Sequence, residues 1–406
     1  MEPIPEHAPL AVCHIITRLI VGGAQENTLA TVAGLAATGR YRVCLVAGPT
    51  TGPEGSLLPV VRSAGIWYHE SPSLIREVRP AADARALADL VRFLRRHRFA
   101  IVHTHSAKGG ILGRWAARLA GVPIVVHTVH GWSFGPYQSW PVNAMYEWLE
   151  YLTAHCTDRL VGVADAMRDE GVRRRIAPPA RFTTIHSGID LARFRNARRD
   201  DALAARLGIA PEDKVVVTLA RLFPLKGHDA LLDAMPEILA REPRARFLWI
   251  GDGTLRDGLL ARARRLGVAD RLVLAGLIQP DEVPRYLALG RLLVHLSRRE
   301  GLPRAVPQAF ACGLPAIGYP LDGTPEVIRP GETGRLVPVG DRVALVDAVA
   351  GLLADEEGCR RMGAAGRALA AELFAADRMV ARIDRLYQEL EAARRRRGAP
   401  PDPGVS

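Results

Sequence analysis

The sequence predicts an α/β protein of two domains, each built on a parallel sheet, and three observations lead there. Short apolar runs such as Leu292 to Leu296 alternate along the chain with longer stretches of helical periodicity, as they do when crossover helices bury both faces of a sheet. A segment rich in Arg, Ala and Asp, residues 193–212, interrupts that alternation near the middle and reads as a linker. At 406 residues, each half is long enough to bury a core of its own. The expected divisions are residues 10–192, the linker, residues 213–376, a last helix over 377–397, and a disordered Pro- and Gly-rich tail over 398–406.

Composition narrows the function classes. Hydrophobic residues at 48% and charged residues at 24% describe a globular chain, not a disordered one. The cysteines, Cys13, Cys44, Cys156, Cys312 and Cys359, are scattered, odd in number and form no Cys-x-x-Cys. That points to a reducing compartment and away from structural zinc or a disulfide frame. Residues 1–9 are acidic and Pro-rich, unlike a signal peptide, and no apolar run approaches the roughly 18 residues of a membrane span, so a cytoplasmic location is expected. The net charge of +11, of which Arg394 to Arg397 supply four, asks for an anionic partner. Its basic residues are dispersed and no nucleic-acid-binding module is legible, which leaves phosphate-bearing small molecules or the inner face of a cell membrane.

In chain order, Val12 to Thr17 reads as a strand, and Gly22-Gly23-Ala24 leads from it into a helix from about Gln25 to Thr38. A Gly-rich turn there cradles phosphate or sugar oxygens in many α/β proteins, or it is simply a tight turn; the full Gly-x-Gly-x-x-Gly of dinucleotide binders is absent. Tyr41 to Ala47 is the next strand, followed by a variable region to Arg79 and a helix over residues 82–97. Ala100 to Thr104 and Ile124 to His127 then deliver His103, His105, His127 and His130 to one sheet edge. Four imidazoles invite a metal, but no Cys or acidic ligand accompanies them, and no metal site is expected. Beyond His130, the aromatics Trp132, Phe134, Tyr137, Trp140, Tyr146, Trp148 and Tyr151 crowd a chain otherwise poor in rings. They fit either a packed helix or a lip that meets sugar rings or lipid, to which Arg92 to Arg98 and Arg173 to Arg175 would add attraction for anionic headgroups.

In the second half, strand Lys214 to Ala220 runs into Arg221-Leu222-Phe223-Pro224-Leu225-Lys226-Gly227. Two cations on a loop bent by Pro224 and opened by Gly227 either suit a diphosphate, with Arg gripping oxygens bidentately and Lys acting as a point charge, or are a solvated surface pair. Strand Leu292 to Leu296 leads to Glu300, just past the carboxyl edge where open α/β sheets bind ligands. There Glu300 either accepts hydrogen bonds from sugar hydroxyls or marks the start of a helix, and Gly301 and Gly323 either admit a ligand to the backbone or make turns. No Asp-x-Asp occurs to hold a divalent metal on a diphosphate.

Arg221-x-x-x-x-Lys226-Gly227, followed by Glu300, Gln308, Gly313-Leu314-Pro315 and Gly323-Thr324-Pro325-Glu326, resembles the donor-site signature of the family 4 retaining GT-B glycosyltransferases. The likeness extends over about residues 10–392, and Val129-His130-Gly131 and Ser187-Gly188-Ile189-Asp190 match family positions in order. It implies two Rossmann-like domains facing a central cleft, acceptor side first, with the final helix crossing back to the first domain. It implies a nucleoside diphosphate-sugar as co-substrate, no cofactor and metal-independent transfer to a glycan or lipid-linked acceptor.

By the same resemblance Glu300 holds the donor sugar, Arg221 and Lys226 the diphosphate, and His130 works at the reaction centre. Gln308 stands where the family has a second Glu on the ribose; it keeps an acceptor oxygen and loses the charge. Gly22, Gly23 and Ala24 face the cleft, Gly276, Leu277 and Ile278 hold the base through backbone groups, and Gly301, Leu302, Gly323 and Glu326 complete the donor loop. The run from His103 to Lys108 with His130-Gly131-Trp132 looks most like bacterial members that build surface polysaccharides on a lipid carrier. Two other classes remain open: a nucleotide-sugar epimerase of similar twin fold, and a catalytically silent scaffold, the latter suggested by Gln308.

Overall fold

The computed structural model describes residues 9–50 and 55–398. The acidic N-terminal stretch up to residue 8 and the tail from 399 onward, which was expected to be disordered, lie outside the described residues. The chain forms two compact units, one from Met1–Gly188 with Ala376–Ser406, the other from Ile189–Ala375. Each is a Rossmann-like layer of parallel strands between helices.

Unit 1 contains β1 (Leu10–Ile16), β2 (Tyr41–Ala47), β3 (Trp67–Glu70), β4 (Ile101–His105), β5 (Ile124–Val129), β6 (Arg159–Gly162) and β7 (Phe182–Thr184). Their order is β3-β2-β1-β4-β5-β6-β7 and every pairing is parallel. The period of two sorts side chains to two cores. Val12 and Ile16 of β1 pack with Val32 and Leu35 of the helix Gly23–Ala37 and with Met379, Val380 and Ile383 of the last helix, Ala376–Gly398. Cys13 and Ile15 pack on the other face with Leu90, Leu94 and Ala116 of the helices Pro80–His97 and Ala107–Leu119. His14, between them, shares the face of Val12 and Ile16.

The last helix is held to unit 1 by packing and by one buried carboxylate. A Cβ on Gly34 would come within 2.4 Å of Val380 Cγ2, so only glycine allows that helix–helix approach. Asp384, 7% exposed, accepts hydrogen bonds from the Tyr41 hydroxyl at 2.5 Å and from Gln388 at 3.0 Å and pairs with Arg40. Asn27 donates to Ser187 Oγ at 3.0 Å beside Met379.

Unit 2 contains β8 (Lys214–Leu219), β9 (Ala245–Ile250), β10 (Leu272–Gly276), β11 (Leu292–His295), β12 (Ala316–Gly318) and β13 (Gly334–Leu336), in the parallel order β10-β9-β8-β11-β12-β13. Its core gathers Phe247, Trp249, Leu232, Met235, Val294 and Ile317. Two features depart from the expectations. Residues 193–212 lie within unit 2, which begins at Ile189; they form the short helices Ala192–Arg195 and Asp201–Arg206 and bury Phe194, Leu203 and Ile209. Within the variable region up to Arg79, Trp67–Glu70 forms the edge strand β3, paired only to β2. All five thiols are free, and among the described residues no helix is long and apolar enough to cross a membrane.

Tyr41→Phe removes the hydroxyl that helps satisfy buried Asp384 and should cost unit 1 about 1–3 kcal/mol. Five of the six tryptophans lie in unit 1, so urea unfolding followed by tryptophan fluorescence should show an earlier midpoint in this variant. An unchanged midpoint contradicts the clamp.

Candidate active site

In each sheet the strand order reverses once, at β1/β4 in unit 1 and at β8/β11 in unit 2, and the crevice outside such a reversal is where open α/β sheets take ligands. In unit 2 the loops leaving β8 and β11 carry Arg221, Lys226 and Glu300. They are laced together: Arg298 N–H donates to Leu225 O at 2.8 Å and Ser297 Oγ–H to the same carbonyl at 3.3 Å. Gly227 makes this possible. Its φ is +79°, and a Cβ there would fall 2.2 Å from Leu296 O, so any other residue would push the β8 loop off the β11 loop.

The lacing brings Lys226 Nζ to 2.6 Å from Glu300 Oε1 and 3.5 Å from Ser297 Oγ. His295 Nε2 lies 3.3 Å from the same carboxylate oxygen. Burial by itself would raise the Glu300 carboxyl, but Lys226 and His295 beside it outweigh that and hold it well below the usual carboxylate range. Glu300 N–H donates to Asp322 Oδ2 at 2.7 Å, which fixes the backbone that carries the carboxylate. Burial, with the charge of Glu300 adding to it, pushes the Asp322 carboxyl upward. Behind Lys226, His228 is buried against Trp249 and its imidazole is held down at about 4, by burial first and His295 second.

Leu225 (φ 68°) and Asp322 (φ 49°) both sit in the left-handed region, which costs a non-glycine residue about 1–3 kcal/mol and gathers at functional sites. Arg221 leaves β8 by the same loop and lays its guanidinium 4.9 Å from the Phe223 ring.

The other residues expected on the donor side all lie in unit 2. Gly301 and Leu302 are buried just past Glu300, and Gln308 is half-buried on the helix Ala305–Ala311. Gly323 precedes the single turn Thr324–Val327, which carries half-buried Glu326. Gly276 closes β10, where its carbonyl accepts from Gly251 N–H at 2.9 Å; Leu277 after it is 45% exposed and Ile278 half-buried. The sheet order sets that loop two strands from β8. His295, Ser297 and Asp322 were not singled out by sequence reasoning. Asp322 lay within the signature stretch, but only its backbone angle and its bond to Glu300 reveal its part.

In unit 1, the reversal brings the β1 and β4 loops together through Thr17 Oγ1, 2.8 Å from Ser106 Oγ and accepting from Gly109 N–H at 2.9 Å. Gly22 begins the helix that bears Gly23 and Ala24. The four histidines do not form one cluster. His127 turns to Thr104 Oγ1 at 2.9 Å, whereas His103 and His105 are joined by His14, set beside His103 by strand register. His130, half-buried past β5, meets His105 across 3.1 Å. The side-chain nitrogens of His14, His103 and His105 lie within 4.8 Å of one another. His14 and His105 already bond each other and His103 bonds Tyr387 and Thr128, and among the described residues no carboxylate or thiolate joins them.

The aromatic stretch divides. Trp132 and Phe134 are core, with Trp132 Nε1–H donating to Met167 O at 2.9 Å. The helix Trp140–Ala154 instead exposes Trp140 (81%), Trp148 (60%), Val142, Met145 and Tyr151, and Tyr137 is exposed just before it. Arg114 and Glu150, both buried, pair at 2.7 Å and pin this helix to Ala107–Leu119. Arg173 and Arg174 are paired with Glu170, and Arg174 also with Glu147, so much of that basic run is neutralised within the fold.

Residues 22–188 match the "Glycosyl transferase 4-like domain" and residues 200–369 match "Glycosyl transferases group 1". The chain is 32% identical over 282 residues to the UDP-Gal:alpha-D-GlcNAc-diphosphoundecaprenol alpha-1,3-galactosyltransferase of Escherichia coli, covering 68% of this chain and 72% of that one. The chain belongs to the family 4 GT-B glycosyltransferases. A GDP-mannose-dependent alpha-(1-6)-phosphatidylinositol monomannoside mannosyltransferase of Mycobacterium tuberculosis is 28% identical over 382 residues, 92% of this glycosyltransferase and 96% of its own length. Among solved structures, Anabaena HepE in complex with UDP and glucose superposes with a TM-score of 0.80 at 18% identity, covering 94% of this chain and all of the other.

Acid should unfold unit 1 through its buried imidazoles. Burial holds His14 at about 3 and keeps His103, His105 and His127 well below the ordinary 6.5. Between those values the unfolded chain binds protons that the folded one does not, so stability falls as pH drops below about 6.5 and is regained as it rises, by up to about 1.4 kcal/mol per pH unit for each histidine. Urea unfolding of Trp249→Phe, whose remaining tryptophans all report unit 1, should lose midpoint steadily from pH 7 to 5; a level midpoint contradicts this.

Proposed function

We propose that this glycosyltransferase moves a sugar, with retention at its anomeric carbon, from a nucleoside diphosphate-sugar to a hydroxyl of a lipid-linked glycan during the building of a bacterial surface polysaccharide. The observation that carries the donor half is the Lys226–Glu300 pair at the strand reversal of unit 2. When a donor enters, Lys226 passes to the diphosphate and the released carboxylate accepts hydrogen bonds from sugar hydroxyls. Charge growing on the departing diphosphate is met by Lys226 and Arg221, which therefore favour the transition state over the ground state and do the work of a divalent metal. Gln308 takes the ribose, the backbone around Gly276, Leu277 and Ile278 the base, and His130 works beside the reacting sugar.

For the acceptor half, the support is the name of the Escherichia coli relative, whose substrate is a diphosphoundecaprenol, together with the exposed aromatic face of Trp140–Ala154. Tryptophan and tyrosine are stable at a membrane interface, where one part of the ring meets lipid and the other water. A net charge of +11 adds attraction to the anionic inner leaflet. The enzyme on this reading works from the cytoplasmic side as a peripheral protein.

Two measurements test the reading. A thermal-shift panel including UDP-galactose, UDP-glucose and GDP-mannose finds the donor, since a ligand of the native state raises its apparent stability. Transfer from that donor to a diphosphoundecaprenol-linked sugar in EDTA, with the product's anomeric configuration read by NMR, should show retention. Lys226→Ala and Glu300→Ala should each lower kcat/KM by about a hundredfold or more. Inversion, dependence on added metal, or epimerised donor in the absence of acceptor overturns it. Separately, Trp140→Ser with Trp148→Ser should reduce flotation with phosphatidylglycerol vesicles while leaving the thermal midpoint in place; undiminished flotation removes this face from the membrane contact.

A further inference from the structure

Among the described residues, no carboxylate bonds the imidazoles of His14, His103 and His105 that unit 1 buries. His14, His103 and His105 are at most 1% exposed, on strands where valine or isoleucine would pack without needing partners. How their nitrogens are satisfied is informative. Thr128 Oγ1 lies 2.7 Å from His103 Nε2, and His103 Nδ1 lies 2.6 Å from the Tyr387 hydroxyl. Tyr387 is 3.3 Å from His14 Nε2, His14 Nδ1 is 3.0 Å from His105 Nε2, and His105 Nδ1 is 3.1 Å from His130 Nε2. Each ring nitrogen on the way is used once. The His14 and His105 rings are 14° from parallel with centroids 5.3 Å apart, the spacing of two rings bonded edge to edge nearly in one plane.

We propose that His14, His105 and Tyr387 are positioning residues for His130, acting as one hydrogen-bonded line that fixes the plane of its ring and holds its proton on one nitrogen unless the whole line turns over. The reason lies in counting donors. A neutral imidazole has one N–H and one lone pair, so each ring in the line must donate one way and accept the other. Two arrangements satisfy every atom. In one, all bonds donate toward His130, its Nε2 accepts and its proton sits on Nδ1. In the other, all bonds donate away from it, Nε2–H gives to His105, and Nδ1 carries a lone pair. A mixed arrangement leaves a buried donor facing a donor, or two lone pairs face to face, at about 1–3 kcal/mol for each unsatisfied group.

His130 therefore cannot change tautomer alone; the line turns over as a whole, anchored at its far end by Thr128 and, through Tyr387, by the last helix. The titratable or charged groups around it include His127 on β5, Arg114 behind His127, and Tyr41, whose ring meets Tyr387 edge-on across 5.8 Å and whose hydroxyl donates to Asp384, itself paired with Arg40. Burial keeps the three interior imidazoles neutral over the working range, as the donor count requires. The link to catalysis rests on the proposed placing of His130 at the reacting sugar, but the line itself does not.

Imidazole nitrogen-15 NMR of histidine-labelled enzyme separates the two, because a protonated and an unprotonated ring nitrogen resonate far apart and an exchanging pair averages. His130, assigned by loss of its signals in His130→Ala, should show one tautomer at pH 8 in the wild type. Tyr387→Phe keeps the packing and removes the hydroxyl; His105→Leu removes the neighbouring link, and His105→Gln restores one bond. Averaged His130 signals are expected in the first two variants, with partial recovery in the third. On UDP-galactose, UDP-glucose or GDP-mannose, whichever is turned over, kcat should fall about tenfold or more in the first two with donor KM within about twofold, as for a group aiding the chemical step and not the binding. Averaging in the wild type, or unaltered His130 signals in folded Tyr387→Phe and His105→Leu enzyme, overturns the proposal. Averaged signals with unchanged kcat support the line and instead overturn the placing of His130 at the reaction.

Discussion

A single ion pair organises the loops at the strand reversal of unit 2. Lys226 and Glu300 are 74 residues apart in sequence, yet the strand order makes β8 and β11 neighbours and the loops above them deliver the two charges to the same point. The surrounding compromises are legible as the cost of that meeting: a leucine and an aspartate in left-handed backbone, a glycine with no room for a side chain, and an aspartate held by the amide of the glutamate it supports. A pair of this kind, with 23% and 17% of the side chains exposed, contributes little to net stability because desolvation offsets much of the attraction. On the function proposed above, its value is that both charges are already in place and already half-stripped of water, so that a phosphate or a sugar hydroxyl would replace a protein partner instead of a hydration shell.

Unit 1 uses the opposite electrostatic strategy. Where the strand reversal of unit 2 concentrates charge, the sheet beneath His130 has buried neutral dipoles that satisfy one another in sequence. Such a network is rigid because no member can rotate or exchange its proton without leaving another unsatisfied. The same low polarity that makes it stiff makes it intolerant of protons, so a single feature fixes a ring and sets the acid limit of the domain.

Much of this was legible in the sequence, and the gaps have physical causes. Buried parallel strands are continuous apolar runs, so Tyr41–Ala47 could be bounded to the residue, whereas Glu300 past such a run read equally as a helix start, and only the resemblance to the family signature joined it to Arg221 and Lys226. The edge strand Trp67–Glu70 carried no such run, since Trp67, Tyr68, His69 and Glu70 are only partly buried or exposed. The stretch 193–212 looked like a linker because its charge hides the few residues that anchor it, Phe194 and Ile209 among them. His14 was invisible for another reason: a lone histidine in a strand has no meaning until strand register sets it against His103. The aromatic run after His130 could be a packed helix or an exposed lip on composition, and it proved to be both, core up to Phe134 and exposed along much of the helix from Trp140.

The descent of the last helix onto unit 1 has an implication for how the chain is made. Tyr387, which joins two histidines, and Asp384, which holds Tyr41, are translated only after the whole of unit 2. As the polypeptide leaves the ribosome, unit 2 can close on itself while the first sheet still lacks its covering helix and leaves its histidines unanswered. The domain begun first is thus completed last, and for that interval it is the part of the nascent enzyme most exposed to chaperones and proteases.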